Sequence, residues 1–583
     1  MLLEAIYHRS TDSYCYAYDD RTVHIRLRTR KGDLESIKAV YGDKYDWAGT
    51  GTEKAMRIIA SDELFDYWQA ELTPPYGRLR YAFQLIDGEQ QLWYTEQGFT
   101  THRPQDPLTF FDYPFIWPSE VLAPPAWVRE AVFYQIFTER FANGDVSNDP
   151  LGVRSWEEDN PGPHDYYGGD LQGVLDNVDY IQSLGVNAVY FTPLFEAHTN
   201  HKYDTADYYR IDRHFGDVSL MKKVVEAFHE RGIRVVLDAV FNHSGKAFAP
   251  FRDVLDKGRA SVYWDWFLMH DDQLAAGDRP NYHCFAFEAH MPKLNTANLK
   301  VRDYLLGVAR YWIEECDIDG WRLDVANEVD HSFWREFRQS VKSLKPDFYI
   351  LGEIWHDAMP WLRGDQFDAV MNYPVTEAIL QFSAGGEIDA PTLSSRISRI
   401  LVNYPQQVNE AAFNIIGSHD TPRVLTQTGD ARKLMLAALL QFTLPGTPCI
   451  YYGDEIGMTG GADPDCRKPM IWDEARQDAE LLGFYRRLIE WRKTYETLQA
   501  GACEFVYAHH RQLVVCRASA SERIYIALND EDTEQAITFA AEPVASYRAL
   551  GGSGTFRMAD STMTVGLPPF GWIVLVAEPP EGA

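Results

Sequence analysis

The chain has no stretch approaching the roughly 20 consecutive apolar residues that a membrane span needs, which argues against insertion in a bilayer. Its seven cysteines, Cys15, Cys284, Cys316, Cys449, Cys466, Cys503 and Cys516, are scattered without paired spacing, and their odd number leaves at least one unpaired. They read as reduced thiols rather than as a disulfide framework or a zinc site. Positive charge is scarce: 55 Lys and Arg stand against 85 Asp and Glu, a formal net charge of -30. A nucleic-acid partner needs a basic patch to displace counterions, so the balance excludes that class and favours a neutral or cationic ligand. The opening Met1-Leu-Leu-Glu4 segment lacks a basic leader and a long apolar core, and a cytoplasmic location is expected.

Length and aromatic content are abundant. At 583 residues the chain exceeds one compact core and should divide into several domains. Residues 1–121 alternate apolar and polar side chains, as in Thr22-Val-His-Ile-Arg-Leu-Arg28, and predict an antiparallel β-sandwich. The proline-rich run Pro118 to Pro125 reads as a linker. From about 122 to 501 short apolar strands alternate with helical segments, which implies βα units and a parallel sheet. The candidate strands are Ala131–Ile136, Ala188–Phe191, Ile233–Asp238, Gly320–Asp324, Tyr349–Glu353, Ala369–Asn372, Phe413–Ser418 and Cys449–Tyr452. Their number is the one that closes a (β/α)8 TIM barrel. The gap at about 243–297 is too long for a loop and predicts a small inserted domain. Strand-only patterning returns over 502–583 as a second β-sandwich.

Three carboxylates, Asp324, Glu353 and Asp420, follow apolar strand runs, where the C-terminal rim of a barrel places its active site. Two carboxyl groups flanking an oxocarbenium-like transition state are the usual apparatus of glycosidic cleavage. Arg322 lies two residues before Asp324, so both side chains leave the strand on one face. Its guanidinium is expected to hold Asp324 ionised as a nucleophile, with Glu353 raised as the acid beside the apolar wall of Trp355. His243 and His419 also end strand-like runs, as hydrogen-bond partners of sugar hydroxyls or as structural histidines.

Asp238-Ala-Val-Phe-Asn-His243, Gly320-Trp-Arg-Leu-Asp-Val-Ala-Asn-Glu328, Gly352-Glu-Ile-Trp355 and Ser418-His-Asp420 resemble the four ordered sequence regions of glycoside hydrolase family 13, the α-amylase family. The resemblance implies Asp324 as nucleophile, Glu353 as acid/base and Asp420 as transition-state stabiliser, supported by Arg322, His243 and His419. Val325 to Glu328, Met291 to Asn295 and the N-terminal domain are similar to the cyclomaltodextrinase, maltogenic amylase and neopullulanase group. That similarity implies retaining, endo-type hydrolysis of α-1,4-glucosidic bonds in cyclomaltodextrins, with activity on linear malto-oligosaccharides, pullulan and starch and some transglycosylation. An exo-acting α-glucosidase and a non-catalytic sugar-binding relative are the alternatives.

By the same resemblance Tyr203 stacks beneath the reacting glucose, while Phe285, Phe287 and Trp355 guide acceptor or cyclodextrin. Glu328 lies near the acceptor sites, and Asp465 and Arg467 bind the non-reducing end. Tyr45 reaches the partner's site in a homodimer or higher homo-oligomer, or else simply packs its own sandwich with Trp47. Asn143, Asp145, Asn148, Asp149, Gly168 and Asp170 supply clustered oxygens of the kind calcium takes, without the spacing of an EF-hand. Turn chemistry explains such residues equally well. Resemblance to the group's calcium loop implies a structural ion.

Overall fold

The central element is a closed parallel barrel. In the computed structural model, which describes residues 1–578 apart from 105–106, 272–273, 276–278 and 545, its strands are Phe133–Ile136 (β1), Ala188–Phe191 (β2), Arg234–Ala239 (β3), Gly320–Leu323 (β4), Tyr349–Gly352 (β5), Ala369–Val370 (β6), Phe413–Asn414 (β7) and Thr447–Tyr451 (β8). The hydrogen-bonded order β6-β5-β4-β3-β2-β1-β8-β7 is one eight-stranded path, and a parallel bridge from Met371 to Phe413 joins its ends. These strands are apolar runs because both faces are covered, by the barrel interior and by the outer helices. Trp321 of β4, for example, is fully buried and donates its indole N–H to the Ala309 carbonyl of helix Leu299–Cys316.

Strands β4 to β8 end earlier than their apolar runs suggest. β7 stops at Asn414 instead of Ser418 because side chains replace its ladder partners. Asn414 accepts from the Asn372 amide (2.9 Å) and donates to the Pro445 carbonyl (2.9 Å), while Thr376 Oγ1 donates to the Ile415 carbonyl (2.6 Å). β4 and β5 end one residue before Asp324 and Glu353. Both acids nevertheless continue the ladder, donating from their backbone N–H to the Ala239 and Leu323 carbonyls at 3.0 Å each.

Helix starts are set by carboxylate caps: Asp217 accepts from Leu220 N, Asp330 from Phe333 N and Asp478 from Leu481 N. Each such cap contributes about 1 kcal/mol. Helix His331–Leu344 buries Phe333, Trp334, Phe337 and Val341, the stripe expected of a helix lying on a sheet. Between β3 and the helix at Leu299 the chain leaves the barrel as a short helix, Ala249–Lys257, and a series of isolated bridges including His243–Lys293 and Cys284–Pro292. This excursion returns to the rim, where the Phe285 ring packs on His243 with centroids 5.1 Å apart.

The N-terminal segment forms two antiparallel sheets whose facing side chains include Ile25, Leu27, Ile37, Trp68 and Phe83. On strand Val23–Arg30 the polar His24 and Arg26 are also buried. The cause is docking on the barrel: Arg26 Nη1 donates to the Val402 and Tyr404 carbonyls at 3.0 and 2.8 Å. A five-stranded and a three-stranded sheet follow from Ala502, enclosing Val514, Ile537, Val565 and Leu575. Buried Arg517 ties them to the barrel's last helices through the Leu498 (3.0 Å) and Gly501 (2.8 Å) carbonyls. Among the described residues no helix is long and apolar enough to cross a membrane.

Candidate active site

Arg322 is the hub of the barrel's C-terminal rim. It pairs in register with Asp238 of the adjacent strand and projects inward, fully buried. Its Nη1 donates to both Asp238 carboxylate oxygens (3.1 Å each) and to Asp324 Oδ1 (2.7 Å). Nη2 lies 2.8 Å from Glu353 Oε1, an ion contact off the donor axis. Glu353 is oriented by two further donors, the Val325 N–H to Oε2 (2.9 Å) and the Trp355 indole to Oε1 (3.2 Å). Val325 presents that N–H from a left-handed conformation, φ 44°, which a β-branched residue adopts only under constraint.

Three carboxylates thus share one guanidinium, leaving two negative charges in excess when all are ionised. Burial, then the neighbouring Glu353 charge, pushes the Asp324 carboxyl well above its ordinary range against the pull of Arg322. Burial likewise raises Asp238 to about 6, again opposed by Arg322. Arg322 thus favours the ionised form of Asp324, as the sequence suggests, against an opposing push from burial and from Glu353. One cation divided among three buried carboxylates does not fully offset desolvation, which is why Asp238 and Asp324 both lie above their ordinary range.

Around this hub, Asp238 Oδ2 accepts from the Tyr190 (2.6 Å) and Tyr203 (3.0 Å) hydroxyls. Tyr203 lies parallel to the His419 ring, centroids 5.5 Å apart, with its oxygen 2.6 Å from His419 Nε2. Gln135 of β1 meets His419 Nδ1 at 2.8 Å. Burial lowers His243 to about 3 and takes His419 well below the usual imidazole range, so both rings are neutral at working pH. Arg467 donates from Nε to the His419 carbonyl (2.7 Å) and from Nη2 to Asp420 Oδ1 (3.2 Å), fixing the third acid.

Tyr203, His243, Phe285, Asp324, Glu353, Trp355, Asp420 and Arg467 all line one cleft of about 500 Å³. Arg322 and His419 are buried outside the lining, in contact with its Asp324 and Tyr203. Glu328 stands apart from the lining, paired with Lys293 Nζ at 3.0 Å. Asp465 is turned away: its carboxylate accepts from Gly461 N–H and pairs with Lys468 (3.3 Å), bracing its own loop, while Asp463 lines the cleft and holds Arg467 Nη1 (3.0 Å). Tyr45 is 78% exposed on the N-terminal domain, its ring beside Lys44 and Arg78, and does not pack the sandwich. Sequence reasoning assigned no role to Asp238, Tyr190 or Gln135. Asp238 carried a usable signal, since it is a carboxylate at the C-terminal end of apolar β3, as Asp324 is of β4.

The oxygen-rich loop after β1 is organised by Asp170. Its Oδ1 accepts from Gly144 N (3.1 Å) and Gly173 N (2.6 Å), and its Oδ2 from Asp145 N (2.9 Å) and Asn148 Nδ2 (2.8 Å). Four N–H donors meet this carboxylate, so Asp170 anchors the loop and caps the helix that begins at Leu171. Gly168 is required for packing: a Cβ there would lie 2.3 Å from Asp149 Oδ1. Among the described residues no three His, Cys, Asp or Glu side chains converge as a metal site. Open to a cation are the buried Asn143 and Asn148 Oδ1 atoms, which lack hydrogen-bond partners, beside the Asp145 and Asp149 carboxylates. That donor set fits a hard, oxygen-seeking ion.

The model of the alpha amylase catalytic domain matches residues 135–501, and that of the alpha amylase N-terminal ig-like domain matches residues 1–117. The chain is 51% identical to a cyclomaltodextrinase of Geobacillus thermopakistaniensis (strain MAS1), over 99% of this chain and 100% of that one. It is 47% identical to neopullulanase 2 of Thermoactinomyces vulgaris over 92% of each. A solved structure of a cyclomaltodextrinase superposes with a TM-score of 0.95 at 49% identity, covering 99% of this chain and 100% of that one. With its barrel and N-terminal domain both matched and the acid cluster at the barrel's rim, this chain belongs to the α-amylase family and is a glycoside hydrolase.

Proposed function

We propose that the chain hydrolyses α-1,4-glucosidic bonds of cyclomaltodextrins with retention of configuration, acting also on linear maltodextrins, pullulan and starch and transferring some glycosyl groups to acceptor sugars. The observation that carries this reading is the grip of Asp324 and Glu353 on the two terminal nitrogens of one guanidinium. A shared guanidinium is in keeping with the spacing of about 5 to 5.5 Å that a double displacement requires. Arg322 occupies Asp324 Oδ1 and leaves Oδ2 free to attack the anomeric carbon. Glu353 gives its proton to the leaving oxygen, then takes one from the water or acceptor sugar that releases the glycosyl-enzyme. Asp420, held by Arg467, faces the positive charge that develops on the ring.

A cleft edged by the half-exposed Trp355 indole and the Phe285 ring, with exposed Phe287 nearby in sequence, favours compact or cyclic dextrins. Assayed side by side, β-cyclodextrin is expected to give a higher kcat/KM than pullulan, soluble starch or maltose. A preference for maltose would replace this reading with that of an exo-acting α-glucosidase.

Calcium belongs to the same proposal, with Asn143 and Asn148 offering Oδ1 and with Asp145, Asp149, Gly168 and Asp170 completing the set of residues around it. When bound, the ion supplies a fixed positive charge that gathers the loop after β1. Chelation is expected to lower the Tm by a few degrees and added calcium to restore it, since a ligand bound only by the folded state stabilises it. An unchanged Tm in both directions would remove the ion from the proposal. A homodimer in which exposed Tyr45 meets its neighbour's cleft, and a cytoplasmic location in keeping with seven free cysteines, complete it.

A further inference from the structure

A hydrogen-bond chain runs behind the cleft, and the chemistry of one end sets its direction. An ionised Asp238 only accepts, and its Oδ2 lies 3.0 Å from the Tyr203 hydroxyl. A phenol has one proton. Given to Asp238, it leaves the Tyr203 oxygen to accept at its other contact, 2.6 Å from His419 Nε2. The Asp420 carboxylate, 3.3 Å from the same nitrogen, makes the same demand. Nε2 therefore carries the imidazole hydrogen, and in a neutral ring Nδ1 is left with a lone pair. Facing that lone pair at 2.8 Å is the side-chain amide nitrogen of Gln135, a donor. Gln135 is 1% exposed and lies outside the cleft lining, so it does not touch substrate.

We propose that Gln135 is a positioning residue for the hydrolysis: by donating to Nδ1 it holds His419 as the Nε2–H tautomer and thereby directs the Tyr203 proton onto Asp238. The consequence reaches the reacting acids, because Asp238 and Asp324 share Arg322 Nη1. In the opposite tautomer Tyr203 gives its proton to His419 and Asp238 loses a donor. Arg322 is then drawn towards Asp238 and away from the nucleophile. The catalytic part of this inference rests on the function proposed above, whereas the tautomer does not.

The test uses the full chain labelled with 15N at its imidazole nitrogens, with His419 identified by difference against His419→Asn. The expected spectrum has Nε2 protonated and Nδ1 bare. Gln135→Glu replaces the donor with an acceptor and should move a proton onto Nδ1. The charged groups around the ring are Arg467, Arg322, Asp420 and Glu353, and a new carboxylate among them should raise the imidazole and add a limb near neutrality to the pH–rate profile. Gln135→Met keeps the volume without the donor. It should fold with a Tm lowered by no more than a few degrees, since one buried acceptor loses its donor, and lose about tenfold in kcat on β-cyclodextrin with KM little changed.

A wild-type His419 protonated at Nδ1 would overturn the proposal. So would Gln135→Met turning over at the wild-type rate with an unaltered His419 signal. A chain that shows the Nε2–H tautomer but hydrolyses no dextrin would defeat the hydrolytic reading and the catalytic consequence with it, leaving only the proton placement.

Discussion

Asp324→Asn is expected to lower kcat on β-cyclodextrin by about four orders of magnitude or more, with the fold and cyclodextrin binding intact. The amide keeps an oxygen for the Arg322 Nη1 hydrogen bond but has no anionic oxygen with which to attack. The two effects separate cleanly because the change is almost isosteric. Calorimetric binding of β-cyclodextrin should persist while turnover disappears. Stability gives an independent reading. Burial and Glu353 raise the Asp324 carboxyl in the folded chain, so its favourable contribution is present at low pH and lost as pH rises through the raised value. Asparagine cannot ionise, so the variant should match the wild type in acid and exceed it in Tm as pH increases. Residual hydrolysis near the wild-type rate would reject Asp324 as the nucleophile.

Arg322→Met should be the most damaging single change to the fold near the site, costing about 3 to 5 kcal/mol as well as turnover, because it removes one partner of a buried ionic cluster. The side chain is completely buried and faces Asp238, Asp324 and Glu353. Methionine fills comparable volume, so the loss is electrostatic and should depend on pH. Without the cation the folded Asp238 and Asp324 carboxyls rise further above their unfolded values. Their contribution is fully present below the unfolded pKa and is lost as pH rises through the raised folded values. The deficit in Tm relative to wild type should therefore widen from acid to neutral pH. A deficit that stays constant with pH would mean that packing, not charge, sets the cost.

Much of this architecture was legible before any coordinates. Each barrel strand is an apolar run because a parallel sheet is covered on both faces, and that pattern depends on nothing distant in sequence. The pairing of Arg322 with Asp324 is equally local, since side chains two apart on a strand share a face. Strand ends were less legible. β7 stops at Asn414 because Asn372, Pro445 and Thr376 supply its partners from elsewhere in the chain. The burial of His24 and Arg26 was hidden for the same reason, because the carbonyls that satisfy Arg26 belong to residues 402 and 404.

The candidate site divides along the same line. Asp324, Glu353, Asp420, Tyr203 and Arg467 were found from local motifs and meet in one cleft. Asp463, not Asp465, faces the cleft, and Asp170 is met by four N–H donors that its sequence position did not reveal. A sequence shows which side chains carry oxygens but not which way a turn points them.

The barrel, its flanking β domains and the position of three acids after its strands could be read from the sequence, because strand patterning and residue chemistry are properties of short segments. Tertiary structure alone decided how charge and protons are shared among them. Asp238, Asp324 and Glu353 come from three strands to one guanidinium, and Gln135, His419 and Tyr203 from three distant segments to one hydrogen-bond chain. Ionisation depends on burial and on the few ångströms between such groups, and those distances exist only once the barrel has closed.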